Sequence, residues 1–591
     1  MIKGGEFLIK DQEAKDIFIP EEFGEDQLMM ASATKEFVEK ELDPHRERFE
    51  KKDYKLTEDC MKKAGELGLL GISVPAEYGG MGMPFNTSVL ICDKISGANG
   101  SFSTAFGAHT GIGTLPILLY GDDAQRSKYL PKLASGEWMG CYCLTEPGAG
   151  SDANSGKTKA VLTDDGKHYL ITGQKMWISN AGFADVFIVF ARIEDDKNIT
   201  GFILEKRMEG ITLGEEESKL GLNSSSTRQV FFNDVKVPVE SLLGGRENGF
   251  KIAMNALNVG RIKLSAAVLD ACRRVISLST NYSNERIQFG IPIAKFGAIK
   301  HKLADMAVRT YAIESATYRA GAEIEKNILR LESEGVDHQE AHLKGIEEYA
   351  IECSIVKVLG SETIQFCSDE GIQIYGGMGY SADAPMEAAY RDARIARIYE
   401  GTNEINRMLL VGMILKKAMK GELDIMGPAM KVAEGLMSIP SFDKPDNSVL
   451  FEVEKEQIKK LKKAILMCAG KAAQHFAMTI EREQEVLMNL ADMVIEVYTA
   501  ESAILRAEKL AAKNGEEATE HQIAMSKLYL YQAIKNCNQS GEEVILSFAE
   551  GDEQRMLLMG LKRFTKGYTI NPKEMRRNIA NKLIEENRYC F

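Results

Sequence analysis

RDARIARIYEGTNEINR, residues 391–407, is the stretch on which the interpretation of this chain rests. Helix-forming residues flank Gly401-Thr402-Asn403, a combination that interrupts a helix. Glu400 stands directly before the interruption, next to Tyr399. A carboxylate at such a break can project from a held backbone into a cavity, which suits a catalytic base. The local sequence by itself favours the other interpretation, a solvated loop residue, so the rest of the chain has to decide.

Size and composition narrow the class of protein. The 591 residues suffice for three or four domains, and 44% hydrophobic and 27% charged residues are typical of a soluble globular protein. The net charge of -13 argues against a nucleic-acid partner. The beginning of the chain has no apolar signal segment and carries acidic residues, and no apolar run is long enough to span a membrane. We therefore expect a cytoplasmic protein of prokaryotic type.

The ten cysteines are scattered, and no two of them form a C-x-x-C pair. Cys141-Tyr142-Cys143 has no second pair and no histidine close by in the sequence. This spacing predicts reduced thiols and no metal site.

The distribution of β-rich runs and amphipathic stretches along the chain predicts a multidomain α+β fold. Short β-rich runs between turn residues indicate a small antiparallel barrel or sandwich, and long amphipathic stretches indicate helical bundles on either side of it. The predicted parts are an N-terminal arm (1–25), a helical domain (26–138), a β domain (139–247), a helical bundle with Glu400 (248–422), a proline-containing linker (423–450) and a second helical domain (451–591).

An internal repeat links the two helical bundles. LADMAVRTYAIESATYRA (303–320) and LADMVIEVYTAESAILRA (490–507) are identical at ten of 18 positions. The helical domain 451–591 is therefore a degenerate copy of the helical bundle 248–422. At an equal offset from Glu400 the copy reads LIEENR (583–588), without a Gly-Thr-Asn break. The copy is interpreted as structural.

Two segments of the β domain can contact a flat ligand. YCLTEPGAGSD (142–152) offers the hydroxyls of Thr145 and Ser151 around a Pro-Gly turn, where backbone approaches closely. It is not a G-x-G-x-x-G and lacks a βαβ context, which disfavours a Rossmann site. KMWISN (175–180) places Trp177 near Ser179, either as a core residue or as a wall for a stacked ring.

Two further segments lie in the helical region. NERIQFG (284–290) contains Arg286, which either binds a phosphate or neutralises the end of a helix. QIYGGMG (373–379) supplies another glycine turn.

These segments, in this order and with IYEGTNEI, closely resemble the flavin-dependent acyl-CoA dehydrogenases over about residues 26–420. The helical extension is similar to that of the very-long-chain branch, which includes a relative with an assembly role in respiration. The resemblance implies FAD as cofactor, a fatty acyl-CoA as substrate and electron-transferring flavoprotein as acceptor. It further implies a homo-oligomer, with a dimer favoured, in which Arg286, Gln288 and Phe289 reach the FAD of a neighbouring subunit.

The resemblance also implies the roles of individual residues. Glu400 matches the base that removes the α-proton, and its main-chain N–H matches a donor to the thioester carbonyl. The matches to cofactor contacts are Tyr142, Leu144, Thr145, Ser151, Trp177, Ser179, Arg286, Gln288, Phe289, Gln373, Gly377, Thr402 and Glu404. The matches to substrate contacts are Ser103, Gly107, Ser151, Asn258, Arg261, Tyr399 and Gly401.

Three alternatives stay open. The small residues Ser103 and Gly107, one turn apart, favour a deep pocket and long-chain substrates, or else close helix packing. An acyl-CoA oxidase or a non-catalytic assembly factor could share the fold. The basic helix KEQIKKLKKAILMCAGK (455–471) either binds an anionic membrane surface peripherally or packs its apolar face on the core.

Overall fold

The computed structural model describes residues 2–97, 99–436, 446 and 448–591.

The first domain is a set of short helices. The helices are α1 Glu25–Phe37, α2 Arg46–Glu50, α3 Tyr54–Glu66, α4 Phe85–Ser96, α5 Gly100–Gly107, α6 Leu115–Tyr120 and α7 Asp123–Ser135. Between α5 and α6 the chain forms a π-helical turn, Ala108–Gly113, where Gly111, Gly113 and the following Pro116 weaken regular α-helix.

The second domain is a mixed sheet, in the order β6-β7-β3-β2-β4-β5-β8, with β1 beside β4. The antiparallel prediction holds for most pairs, but β1 and β2 both run parallel to β4. β4 is buried almost throughout, as its unbroken apolar run predicts for a central strand. The strands are β1 Gly140–Cys143, β2 Lys159–Leu162, β3 His168–Ser179, β4 Val186–Ile193, β5 Thr200–Glu205, β6 Ile211–Glu216, β7 Thr227–Pro238 and β8 Leu242–Leu243.

The third domain is a bundle around α12, a helix that is buried on most of its surface. Its neighbours include α8, α9, α10, α14 and α15. The elements are α8 Gly249–Ala266, α9 Leu269–Glu285, the hairpin β9 Ile287–Gln288 and β10 Ile291–Pro292, α10 Gly297–Ser333, α11 His338–Glu348, α12 Ala350–Tyr375, α13 Gly377–Tyr380, α14 Met386–Arg394 and α15 Asn403–Met419.

The last domain is a second bundle. The predicted linker contains a helix, α16, packed on α17, while residues 437–445 and 447 lie outside the described residues. The helices are α16 Met426–Gly435, α17 Glu452–Phe476, α18 Gln484–Asn514, α19 Glu520–Leu546, α20 Gly551–Thr565 and α21 Pro572–Glu586.

The two bundles pack through their repeated helices, α10 and α18, and exchange further contacts. Asp492 of α18 accepts from Arg407 of α15 at 2.7 Å, and Asp305 of α10 accepts from Arg576 of α21 at 2.6 Å. Each arginine is the fifth residue of its helix, so α21 is the counterpart of α15. The position equivalent to Glu400 is therefore Thr569, two residues before the N-cap, and not the segment 583–588 that equal offset suggested.

The N-terminal arm ties the bundles together. Phe7 packs edge-on against Tyr498 of α18 with ring centroids 4.8 Å apart. The N–H of Gly5 donates to Glu352 of α12 at 2.8 Å. The arm therefore contacts both the bundle with Glu400 and its copy.

Across the described ranges, no helix is both long and apolar enough to cross a membrane. The apolar face of the basic helix α17, formed by Ile458, Leu461 and Ile465, is buried. Lys462 of the same helix pairs with the buried Glu501 at 2.5 Å. The face that a membrane would need is thus occupied by the core, which favours the second of the two interpretations of this helix.

Candidate active site

Glu400 lies on strained, firmly held backbone. Its φ of 59° is in the left-handed region, which non-glycine residues seldom adopt. Arg261 Nε donates to the Glu400 carbonyl at 3.3 Å, and Lys357 Nζ donates to the Gly401 carbonyl at 2.7 Å. Asn406 Nδ2 lies within hydrogen-bonding distance of the carbonyls of residues 400, 401 and 402. Side chains from three helices fix the break between α14 and α15.

The Glu400 carboxylate is buried, and no described residue forms a direct ion pair with it. Its Oε2 is buried and has no hydrogen-bond partner in the described part of the chain. Burial raises the pKa of Glu400 to about 7, although the charges of Arg261 and Lys357 oppose the rise. A Cβ on Gly260 would lie 2.5 Å from Oε2, so this glycine makes the space that the carboxylate occupies. A carboxylate with this pKa can take up a proton near neutral pH.

A cavity of about 450 Å³ opens in front of Glu400. It is mainly apolar and follows α8 and α9, while α5 and α14 supply further wall residues. Tyr399 keeps 37% of its surface accessible because it lines this space. Five of the predicted site residues share the wall: Ser103, Gly107, Ser179, Tyr399 and Glu400.

The β-domain segments form a surface suited to a flat ring. Trp177 is 51% exposed and has a φ of 61°, so it is held outward rather than packed in the core. Leu144 is buried at the end of β1, and Tyr142 Oη is buried without a hydrogen-bond partner among the described residues. Burial, with a contribution from the nearby Glu400 charge, raises the pKa of Tyr142. This segment therefore lies close to the carboxylate.

The glycine turn after this segment leaves room for a ligand. Thr145 is half-buried and Ser151 is exposed. A Cβ on Gly148 or Gly150 would meet nothing within 4 Å. The orphaned hydroxyl, the exposed indole and the open turn together fit a bound aromatic cofactor with polar substituents.

The other predicted residues near Glu400 support its backbone. Arg261 is buried, and its Nη1 donates to Asn258 Oδ1 at 2.8 Å. Thr402 is the N-cap of α15, and its hydroxyl accepts from the Ile405 N–H at 3.2 Å. Glu404 lies in the first turn, where a backbone hydrogen bond lowers its pKa. Hence Arg261 and Thr402 act first as structural supports of the break.

The five remaining predicted residues lie away from the cavity of their own chain. Arg286, Gln288 and Phe289 lie at the end of α9 and in the β9–β10 hairpin, and the ring of Phe289 is 94% exposed. Gln373 and Gly377 are exposed around the end of α12. None of these five residues lines the cavity described above. A contact with a second subunit is compatible with their exposure.

Sequence reasoning missed two supporting side chains. Lys357 is buried in α12 and bonds to Gly401 and Asn403, and burial lowers its pKa to about 7. Asn406 follows the Gly-Thr-Asn break by three residues and binds back to it. A lysine in the middle of a long apolar helix was the signal that could have revealed Lys357, whereas Asn406 looks like any polar helix residue.

Sequence models of the acyl-CoA dehydrogenase domains match most of the chain. The N-terminal domain matches residues 24–137, the middle domain 141–235 and the C-terminal domain 247–415. A second model, also described as an acyl-CoA dehydrogenase C-terminal domain, matches residues 460–563.

Relatives align over most or all of the chain. A Bacillus subtilis protein named probable acyl-CoA dehydrogenase is 44% identical, over 99% of this chain and 98% of its own length. The rat mitochondrial very long-chain specific acyl-CoA dehydrogenase is 32% identical, over 88% of this chain and 79% of its own. The crystal structure of a Bacillus anthracis acyl-CoA dehydrogenase complexed with FAD has a TM-score of 0.96 at 42% identity and covers both chains completely.

The chain therefore belongs to the acyl-CoA dehydrogenase family. It is a flavin-dependent oxidoreductase with FAD as its cofactor, and it is homologous to the very-long-chain enzymes that carry an additional C-terminal region.

Proposed function

We propose that this enzyme oxidises long-chain fatty acyl-CoA to trans-2-enoyl-CoA in fatty acid β-oxidation, with Glu400 as the base that removes the α-proton. The observation that carries the proposal is the unpartnered carboxylate of Glu400 at the wall of a deep, mainly apolar cavity. Electrons then pass to an electron-transferring flavoprotein.

The backbone around Glu400 suits the first step of this reaction. The α-C–H of a thioester is a very weak acid, so the negative charge that develops on the carbonyl oxygen needs hydrogen-bond donors. No hydrogen bond is recorded for the Glu400 N–H within the described residues, which leaves this donor available. One such donor contributes roughly 3–4 kcal/mol to transition-state stabilisation. Bound FAD supplies the hydride acceptor for the β-carbon.

The pKa of Glu400 suits a base that acts after the substrate has displaced water from the cavity. Burial already raises this pKa to about 7. An acyl chain that fills the cavity removes water and desolvates the carboxylate further, which increases its basicity towards the α-proton. Arg261 and Lys357 lower the same pKa and thereby keep part of the population ionised near neutral pH.

The depth of the cavity supports a long acyl chain. Its wall includes Gly260 of α8, near Glu400, and Leu278 of the following helix α9, so the cavity extends along two successive helices. A long alkyl chain needs a path of this kind, about 20 Å for sixteen carbons in the extended form. Gly107 leaves this path open, since a Cβ there would meet nothing within 4 Å.

The proposed oligomer is a homodimer in which each cofactor site is completed by the neighbouring subunit. Its support is the exposed cluster of residues at the ends of α9 and α12, which match family residues at the cofactor but stand apart from the cavity of their own chain. Phe289, which is 94% exposed, lies in the same hairpin as the exposed Ile287 and Ile291, and an apolar group of this kind is a candidate surface for burial against a partner.

The experiment is anaerobic mixing of the FAD-loaded enzyme with acyl-CoAs of graded length, followed by absorbance of the flavin. We expect bleaching to be fastest with chains of about fourteen carbons or more, because the cavity extends along both α8 and α9. A maximum at four to eight carbons contradicts the long-chain proposal. Admitting oxygen or electron-transferring flavoprotein afterwards tests the acceptor, because rapid return of colour with oxygen alone indicates an oxidase. No bleaching with any chain length favours an assembly role.

A further inference from the structure

We propose that Glu332, His338 and His342 form a binding site for a transition-metal ion, with zinc as the best match. Glu332 lies in the last turn of α10, and the two histidines lie one turn apart at the start of α11. One ligand atom from each of the three side chains can be chosen so that all lie within 4.8 Å of one another. The prediction of no metal site rested on the spacing of the cysteines, and this cluster contains none of them.

The local geometry already brings the ligands together. Histidines at positions i and i+4 of a helix share one face and can bind a single ion. The ring centroids of His338 and His342 are 4.3 Å apart. His338 Nδ1 lies 2.5 Å from Glu332 Oε1, across the turn between the helices. An ion placed between these groups would replace this direct contact.

The turn between the two helices is firmly built. The N–H of Gly335 donates to the Glu332 carbonyl at 2.9 Å, and Gly335 has a φ of 85°, which favours glycine. Gln339 Nε2 donates to the Leu118 carbonyl at 2.9 Å, which fastens α11 to α6. One contact holds the backbone at Glu332 and the other holds the start of α11, which reduces the ordering cost of binding an ion.

The other acidic groups of the turn are already engaged. Asp337 caps α11 by accepting from the Gln339 N–H at 3.0 Å, and Glu334 pairs with Arg330 at 2.6 Å. No hydrogen bond is recorded for the His342 ring within the described residues, although the ring is partly buried. Glu332, His338 and His342 therefore remain as the available donor set.

The donor set selects the kind of ion. Two imidazoles and one carboxylate suit Zn²⁺, with Co²⁺ and Ni²⁺ as alternatives, whereas Ca²⁺ and Mg²⁺ prefer sites made of oxygen alone. Zn–N and Zn–O bonds near 2.1 Å require the side chains to close in by small rotations, which the exposed His338 allows. Water would complete the coordination. The expected role is a clip that joins the C-terminus of α10 to α11.

The test uses untagged, FAD-loaded protein that has been treated with a chelator. It is titrated with ZnCl2 in a calorimeter and with CoCl2 while the visible absorbance is recorded. We expect one site per chain, and we expect His338→Gln and Glu332→Gln each to weaken binding about ten-fold or more. Zinc should also raise the unfolding midpoint of the wild type but not of these variants.

His301→Gln is the matched control. His301 is also exposed and pairs with a carboxylate, Asp305, at 3.1 Å, but it lacks a second histidine. This variant should bind zinc as the wild type does. Absence of zinc binding to the wild type overturns the proposal, as does binding that His338→Gln leaves unchanged. Because His338 is exposed and Glu332 is only half-buried, their variants should keep the flavin spectrum, which checks the fold.

Discussion

Glu314 of α10 and Arg506 of α18 form a buried ion pair, with Oε2 and Nη1 2.7 Å apart. The pair has a mirror in the repeat, because Arg319 donates to Glu501 Oε2 at 2.9 Å. Each copy of the repeat thus supplies the acid for the base of the other. The guanidinium of Arg506 also stacks over Tyr311, and that of Arg319 over Tyr498. The second bundle binds the first through a nearly two-fold set of contacts.

The exchanged pairs predict a large loss of stability when one partner is removed. Arg506→Met removes the buried guanidinium that pairs with Glu314 and with the exposed arm residue Glu21, and it leaves Arg273 as the remaining partner of Glu314. We expect the free energy of unfolding to fall by about 3 kcal/mol, since a buried network of charges loses one of its two arginines. Chemical denaturation measures this change. The control is Arg555→Met, which removes an exposed pair with Asp552 and should cost under about 0.5 kcal/mol. Equal effects of the two variants would contradict this prediction.

The raised pKa of Glu400 predicts that this residue destabilises the folded protein at high pH, where its buried carboxyl group is ionised. The carboxyl group has a pKa of about 7 when folded, against 4.5 as its ordinary value. The folded state therefore binds this proton more tightly than the unfolded state, so the stabilisation is full below about 4.5 and is lost as the pH rises through 7. Glu400→Gln should be more stable than the wild type by about 3 kcal/mol at pH 8.5, with a smaller difference at pH 5.5. A pH-independent difference in denaturation midpoints would refute the assignment of this pKa.

Lys357 is predicted to position the break and to tune Glu400. Its charge lowers the pKa of Glu400, so Lys357→Met should raise that pKa. The base is active when deprotonated, and the acidic limb of kcat/KM should therefore move from near pH 7 to higher pH. Lys357→Arg should restore the limb in part, because it restores the charge. A variant that loses activity equally at all pH values would indicate a structural role alone.

Gly107 is predicted to set the reach of the acyl pocket. It lines the cavity, and a Cβ there meets nothing within 4 Å, so a larger side chain would fill space that a substrate needs. Gly107→Leu should shift the preferred acyl-CoA to a chain several carbons shorter and raise KM for long chains. The control is Gly412→Leu in α15, where a Cβ also meets nothing within 4 Å but no cavity wall is involved. An unchanged chain-length profile for Gly107→Leu would remove this residue from the pocket.

The resemblance of the motifs predicted the family. The order of the helical and β domains could be predicted because hydrophobic periodicity and turn residues are local properties of the sequence. Ser103, Gly107, Ser179, Tyr399 and Glu400 lie at the wall of one cavity, and their individual roles stay predictions from the resemblance of their motifs. The direction of β1 and β2 relative to β4 could not be predicted, since parallel and antiparallel neighbours demand similar apolar residues from a buried strand.

Contacts between distant segments were beyond local patterns. Lys357 reaches Gly401 across 44 positions, and the exchanged pairs of the two bundles join residues more than 180 positions apart. The break before α21 was misplaced because the two copies differ in the length of the chain between their paired helices. Only the ion pairs of Arg407 and Arg576 aligned Thr569 with Glu400.

The central claim is that Glu400 removes the α-proton, and one measurement addresses it most directly. Wild-type enzyme and Glu400→Gln, both loaded with FAD, are mixed anaerobically with the same long-chain acyl-CoA in a stopped-flow spectrometer. We expect the variant to bind FAD and acyl-CoA normally and to bleach its flavin at least a thousand-fold more slowly, about 4 kcal/mol in activation free energy. Flavin bleaching by Glu400→Gln at a rate near that of the wild type would contradict the account.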